Sequence, residues 1–234
     1  MRTVSLVVAL LLAELMAAAA DASRVTVRAT TAAITVTGGA HEVSAKLVDA
    51  TGIEIPGLVV EREGTRTAIV LVASVKPGAR LEVRVPTATD LRVEGSNGGP
   101  VTVRAVRGQL EVVNSNAAIV LDRVGGNVLA STSNGSIEAT VLSVDPTLPM
   151  SFLASNGAVD VVFPADLKAN LRMESDTGPI TTAFALSRIG DEPIERKVMR
   201  GGKLRTVVHG AVNGGGPQIE LRTENSRVAV RTGK

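Results

Sequence analysis

The sequence predicts an all-β fold built as a β-solenoid, a stack of coils about 20 residues each. Three observations predict it. Apolar and polar residues alternate with period two along most of the chain, the mark of half-buried strands. An Asn-centred tripeptide recurs at nearly constant spacing. The apolar content is 44%, yet there are three Phe and no Trp or Tyr. A narrow interior of stacked aliphatic side chains needs few rings, and large rings are expected to disturb its register.

The elements follow in chain order. Residues 1–22 read as a signal peptide: Met1-Arg2 is a short basic start, 4–12 is apolar, and Ala20-Asp21-Ala22 before Ser23 suits a small-x-small cleavage site. The apolar run is short for a membrane span and Glu14 interrupts it. Without Cys the new N-terminus carries no lipid. Alternating stretches then occupy 25–27, 34–36, 81–85, 91–93, 101–103, 110–112, 119–121, 137–141, 159–161, 171–173, 219–221 and 228–230. Two segments read as loops. Residues 145–149 hold Pro146 and Pro149, which a central strand does not accept, and 187–202 are polar and contain Gly190 and Gly201-Gly202. Residues 23–95 have longer connections and form N-terminal β coils or a cap, and 96–232 form the repeat solenoid.

The repeat decides the architecture. Its markers are Ser96-Asn97-Gly98, Ser115-Asn116-Ala117, Ser133-Asn134-Gly135 and Ser155-Asn156-Gly157, with Asp176-Thr177-Gly178 in the same place of the next unit. Asn213-Gly214-Gly215 and Asn225-Ser226 come near the end. The successive spacings are 19, 18, 22 and 21, and the interval of 22 contains the 145–149 loop. Asn-Gly supplies a positive-φ corner. The structural corners are therefore expected at Asn97, Gly98, Asn116, Asn134, Gly135, Asn156, Gly157, Gly178, Asn213, Gly214 and Asn225. Asparagines at equivalent corners stack, each amide bonding the next. Residues 23–40 and 226–232 are expected to cap the two ends. A β-sandwich of hairpins is the alternative, because Asn-Gly also marks hairpin turns.

Val83-Arg84-Val85-Pro86, Leu91-Arg92-Val93, the Ser-Asn-Gly markers, and the tail from Asn213 through Pro217 to Ile219-Glu220-Leu221-Arg222-Thr223-Glu224-Asn225 occur in an order that resembles a bacterial family. That family consists of exported β-strand-repeat domains of unknown function labelled as adhesins. The resemblance covers residues 24–232. It implies a right-handed, single-chain β-helix lying outside the inner membrane, and it carries over no catalytic residues. Asn116-Ala117, Asp176-Thr177-Gly178 and Asn225-Ser226 depart from its Asn-Gly corner.

The chemistry-bearing residues are few. With no Cys there is no disulfide, thiolate nucleophile or Cys-based metal site, and His41 and His209 are too few for a His cage. A net charge of +2, with Arg interleaved among Glu and Asp, is not a nucleic-acid stripe. Asp176-Thr177-Gly178 matches the aspartic-protease tripeptide, but that chemistry needs two carboxylates sharing a proton, and the triplet falls on a repeat marker. Glu111, Asp122, Glu138 and Asp160 lie on successive strands and are candidates to line one face for polysaccharide cleavage; as outward residues they pair instead with Arg104, Arg107 and Arg123. Gly214-Gly215-Gly216 lacks the Lys-Ser/Thr of a phosphate loop. Asn134-Gly135-Ser136 matches a glycosylation sequon on a corner.

The function expected is an exported, non-enzymatic, adhesin-like binding or scaffolding surface in the bacterial cell envelope, in the periplasm or at the cell surface. It needs no cofactor or metal, no nucleic acid, and no transmembrane segment in the mature chain. Its partner is an unidentified envelope component or glycan, with end-to-end self-association open. The alternatives are a polysaccharide-cleaving β-helix enzyme and a self-assembling structural element.

Overall fold

The computed structural model describes residues 23–233, so the leader expected over 1–22 lies outside the described residues. The described chain is all-β. Its strands begin with β1 (Ser23–Ala29), β2 (Ala33–Gly38), β3 (Ser44–Val48), β4 (Leu58–Glu63), β5 (Arg66–Leu71) and β6 (Arg80–Val85). The middle of the chain supplies β7 (Thr89–Gly95), β8 (Val101–Arg104), β9 (Arg107–Asn114), β10 (Ile119–Thr132), β11 (Ile137–Val144), β12 (Met150–Ala154) and β13 (Val159–Phe163). The rest are β14 (Ala169–Ser175), β15 (Ile180–Thr182), β16 (Glu195–Arg200), β17 (Lys203–Val212), β18 (Gln218–Thr223) and β19 (Val228–Thr232).

These strands form two ladders. The first runs β4, β5, β1, β7, β9, the C-terminal half of β10, β12, β18, β14, β17, β16. The second runs β3, β6, β2, β8, the N-terminal part of β10, β11, β13, β19, β15. Pairing is parallel throughout both interiors. Only the outer strands β4, β3, β17 and β16 pair antiparallel. Each unit places one strand in the first ladder and the next strand in the second.

Register explains the marker spacing. Leu91 pairs with Leu110 and Leu110 with Val128, the same offsets that carry Asn97 to Asn116 and Asn116 to Asn134. Ile119 pairs with Ile137 and Ile137 with Val159; the second offset is the longer one and spans the 145–149 loop. Alternation then lines like residues up from unit to unit. Val93, Val112, Ala130, Phe152, Leu221 and Met173 share one inward row, and Val101, Ile119, Ile137, Val159 and Val228 another. All are buried and belong to one apolar cluster that spans both ladders. A one-residue slip would turn every one of them outward. Burying each Val, Leu or Ile stabilises the fold by roughly 1.5–3 kcal/mol.

The interior does accept rings, contrary to expectation. Phe152 and Phe163 are fully buried and meet edge-to-face with centroids 6.2 Å apart. Small Ala130 beside Phe152 in the neighbouring strand compensates for the ring's volume.

The expected end caps are overturned. Units do not stack in chain order. The N-terminal strands β1 and β2 lie between β5–β6 and β7–β8. The C-terminal strands β18 and β19 lie between β12–β13 and β14–β15. The 176–178 corner therefore neighbours Asn225-Ser226, not Asn156. Alternation reports which face a residue takes but carries no record of which unit lies next to it. The outermost strands are instead β3 and β4 at one end and, in the first ladder, the β16–β17 hairpin at the other, so 187–202 is not wholly loop.

Among the described residues four strand edges are unpaired, and they carry features that discourage further pairing. β4 ends in Glu61-Arg62-Glu63, β3 carries Lys46, β16 carries Arg196 and Lys197, and β15 has 3 residues.

Candidate binding face

Each unit turns between ladders at an Asn corner. Asn116 donates its side-chain amide to the Asn97 carbonyl at 2.6 Å, Asn134 to Asn116 at 2.8 Å, and Asn156 to Asn134 at 2.8 Å. Asn225, brought alongside by the out-of-order stacking, donates to Asn156 at 2.7 Å. Each such bond contributes about 0.5–1.5 kcal/mol. Asn213 and Gly214 are elsewhere: with φ of 49° and 90° they turn the chain between β17 and β18, and Asn213 donates to Leu167 O at 2.9 Å.

The corner glycines are not there for torsion. Positive φ occurs at Gly99 (116°), and at Ala105 (54°) and Arg123 (53°) in the second corner of their units, but not at Gly98, Gly135, Gly157 or Gly178. The reason is proximity. A Cβ on Gly157 would overlap the Gly135 carbonyl of the unit beside it, and a Cβ on Gly135 would overlap that of Ala117.

Inside the corner runs a second polar row, which the sequence reading missed. Thr132 donates to Ala117 O at 3.1 Å, Thr223 to Gly157 O at 2.8 Å, and Ser175 to Ser226 O at 2.8 Å. Asn114 donates to Ala117 O at 3.1 Å. All four side chains are buried, and each donates to a corner carbonyl, two of them to that of Ala117. The signal was available: each stands two places before a marker's central residue. Ala154 holds this position in its unit without a hydroxyl. Ala154→Thr is expected to bond Gly135 O and add about 1 kcal/mol, raising Tm by roughly 2–4 °C; a calorimetric scan showing an unchanged or lower Tm would contradict the role given to the row.

The outward face of the first ladder is ordered the same way. One row reads Arg28, Glu94, Val113, Ser131, Leu153, Arg222, Glu174. The next reads Thr26, Arg92, Glu111, Leu129, Ser151, Glu220, Arg172. Charges lie toward the ends of both rows, with Thr26 the one neutral residue outside the middle. Glu94 accepts from Arg28 at 2.6 Å and from Arg92 at 2.8 Å, and these hydrogen bonds hold its carboxyl below the usual range. Arg92 also bonds Glu111 at 3.0 Å. Between the charged ends lies an uncharged window of Val113, Leu129, Ser131, Ser151 and Leu153. Leu129 is 42% exposed. A shallow groove of about 260 Å³ runs along the first row of the window, over Val113, Ser131 and Leu153, bordered by Ser115, Ser133 and Ser155 on one side and Arg222 and Glu224 at its end.

At the C-terminal end of this face is a buried ion cluster. Arg205 of β17 donates to Glu174 at 3.0 Å and, through two nitrogens, to both oxygens of Asp176 at 2.5 and 3.3 Å. Arg172 donates to the other Glu174 oxygen at 2.7 Å. The side chains of Arg205, Glu174 and Asp176 are 6%, 3% and 4% exposed. Burial pushes the Glu174 carboxyl up, but the two guanidiniums outweigh it and leave the carboxyl below its ordinary value. Asp176 of the protease-like triplet is thus committed to one guanidinium. Its pairing with Arg205, beyond a loop and a whole hairpin strand, leaves no pattern in the sequence.

The four candidate carboxylates do not line one face. Glu111 is on the first ladder; Asp122, Glu138 and Asp160 are on the second. Asp122 lies 3.9 Å from Arg104 and 3.6 Å from Arg123. Glu138 and Asp160 are register partners, but Asp160 is largely buried and accepts from Arg227 at 2.8 Å. Arg107 forms no ion pair among the described residues. His41 is exposed in a turn, and His209 sits 3.7 Å from Glu192. Among the described residues no three His, Asp or Glu side chains converge as metal ligands, and no helix is long and apolar enough to cross a membrane.

No family model matches the chain, and no curated protein matches it. Among solved structures it is similar to a crystal structure named "putative cell adhesion protein" from Clostridium sporogenes, at 8% identity and a TM-score of 0.49, covering 92% of this chain and 94% of that one. A likeness of that size leaves fold and function to be argued from the chain's own residues.

Proposed function

We propose that the chain is an exported β-solenoid, with residues 23–95 supplying coils of the same stack as 96–232, that serves as a non-enzymatic binding or scaffolding surface in the bacterial cell envelope. The right-handed coil belongs to this proposal, as do the leader and the location in the periplasm or at the cell surface. The observation that carries it is the first-ladder face. Its side chains stand in fixed rows on a rigid parallel ladder, with an uncharged window between paired charges. Such a face recognises by breadth and complementarity rather than by a pocket. Of the four candidate carboxylates, Glu111, Asp122 and Asp160 each stand beside an arginine, and Glu111 is on the other ladder from the rest.

The test uses purified protein against isolated cell-wall sacculi, envelope polysaccharide and solubilised envelope protein. Retention of one of these at micromolar concentration is expected. Leu129→Lys with Leu153→Lys, which charges the window, is expected to weaken it at least about tenfold, equivalent to about 1.4 kcal/mol. Retention of none, or retention indifferent to both changes, rejects the binding face. Release of new reducing ends from the polysaccharide would replace it with the enzyme.

A further inference from the structure

The β16–β17 hairpin extends past the strand that supports it. β14 ends its pairing where Ser175 meets Thr206, while β16 and β17 continue to pair from Val198 with Arg205 out to Arg200 with Lys203. Three residues on each strand, about 10 Å at 3.3 Å per residue, therefore overhang the corner. The tip is Gly201-Gly202 with φ of 60° and 77°, the paired positive angles of a tight hairpin turn. Nothing lies within 4 Å of where either Cβ would be, so the tip is uncovered.

Two features of this overhang belong together. Met199 and Leu204 are cross-strand partners, which puts them on one face of the ribbon, and they are 68% and 51% exposed. Around them the chain is uniformly basic. Between Glu195 and Glu220 there is no acidic residue, while Arg196, Lys197, Arg200, Lys203 and Arg205 fall within ten positions. Arg205 is neutralised by Glu174 and Asp176, and Arg196 by Glu192 at 2.9 Å. Lys197 is exposed, and the register sets Arg200 opposite Lys203 beside the turn. A water-exposed apolar pair within a basic stretch of chain on a projecting turn has the chemistry of a membrane-interface contact: the apolar side chains enter the headgroup boundary and basic residues meet anionic lipid.

We propose that the β16–β17 overhang docks the protein on an anionic lipid surface through Met199 and Leu204. This goes beyond the window on the first ladder and uses different residues, so either can fail alone.

The test is co-sedimentation of the purified protein with vesicles of phosphatidylcholine alone and with equal parts of phosphatidylglycerol. Pelleting is expected with the anionic vesicles only. It should be lost at about 1 M salt, where the Debye length falls to about 3 Å. Met199→Asp with Leu204→Asp is expected to reduce binding by about tenfold or more, and so is the triple change Lys197→Gln, Arg200→Gln and Lys203→Gln, which keeps the apolar pair. An unchanged melting temperature in both variants shows that the fold is intact. Equal pelleting with both vesicle types, none with either, or indifference to both variants overturns the proposal. So does a concentration-dependent dimer in sedimentation velocity that Leu204→Asp dissolves, because the apolar pair would then belong to a second copy of this chain.

Discussion

Arg205→Met is expected to cost about 3–5 kcal/mol, the usual penalty for leaving buried charge without its partner. The guanidinium adds a side-chain tie between β17 and the end of β14, which already pair along their backbones. Without it, Glu174 and Asp176 stay buried with only Arg172 nearby. The comparison that isolates burial is Arg196→Met. Arg196 and Glu192 form an ion pair whose side chains are 31% and 52% exposed, and its loss is expected to cost under about 1 kcal/mol. Urea unfolding of both variants decides the point; equal losses would mean that burial does not set the strength of the cluster. The same cluster answers to acid. The Glu174 carboxyl lies below its ordinary value in the folded chain, so its contribution is complete above the ordinary carboxylate range. It is lost as pH falls below that range and through the folded value. Amide protection in β16 and β17, measured against the intrinsic exchange rate at each pH, should fall in acid, and Arg205→Met should remove that fall.

Gly157→Ala is expected to cost at least about 1–3 kcal/mol, as overpacking does in a site that cannot relax. The obstacle is the Gly135 carbonyl of the neighbouring unit, held in place by its own ladder. A second substitution separates sterics from torsion. Asn tolerates left-handed backbone almost as glycine does, so a corner glycine needed for its φ would accept Gly157→Asn. One needed for closeness rejects Asn as firmly as Ala. Thermal melts of both variants are expected to fall together. A harmless Gly157→Asn would restore the torsional account.

The two ladders were visible in the sequence to different depths. Alternation located Leu91-Arg92-Val93, Leu110-Glu111-Val112 and their counterparts because one buried face per strand imposes a period of two. The marker spacing carried the register itself, since the intervals between asparagines recur as pairing offsets. The asparagine contacts were also legible, because identical residues at identical corners meet in a parallel stack. What remained hidden depends on contacts distant in sequence. Nothing local distinguishes Asn225 as the neighbour of Asn156, or Arg205 as the partner of Asp176. Met199 was hidden differently: the polar, Gly-containing segment 187–202 reads as loop, and β16 becomes a strand only because β17 offers it an edge. Phe152 and Phe163 were underestimated because composition reports how few rings there are, not that two occupy one unit.

The interior placement of the first and last strands governs the order in which the molecule can be completed. Met150 finds its partner in Ile219, and Ser23 meets Thr89, each across several intervening strands. A chain emerging from its N-terminus must hold its opening strands unpaired until residues 66–104 arrive. It must also leave a slot between β12–β13 and β14–β15 until residues 218–232 appear. Folding therefore closes late, by filling gaps rather than by adding layers, and long-range closure of this kind is slow. A chain stopped short of β18 and β19 is not a slightly shorter protein but one whose last block, β14 to β17, has lost its strand partners in the rest of the molecule.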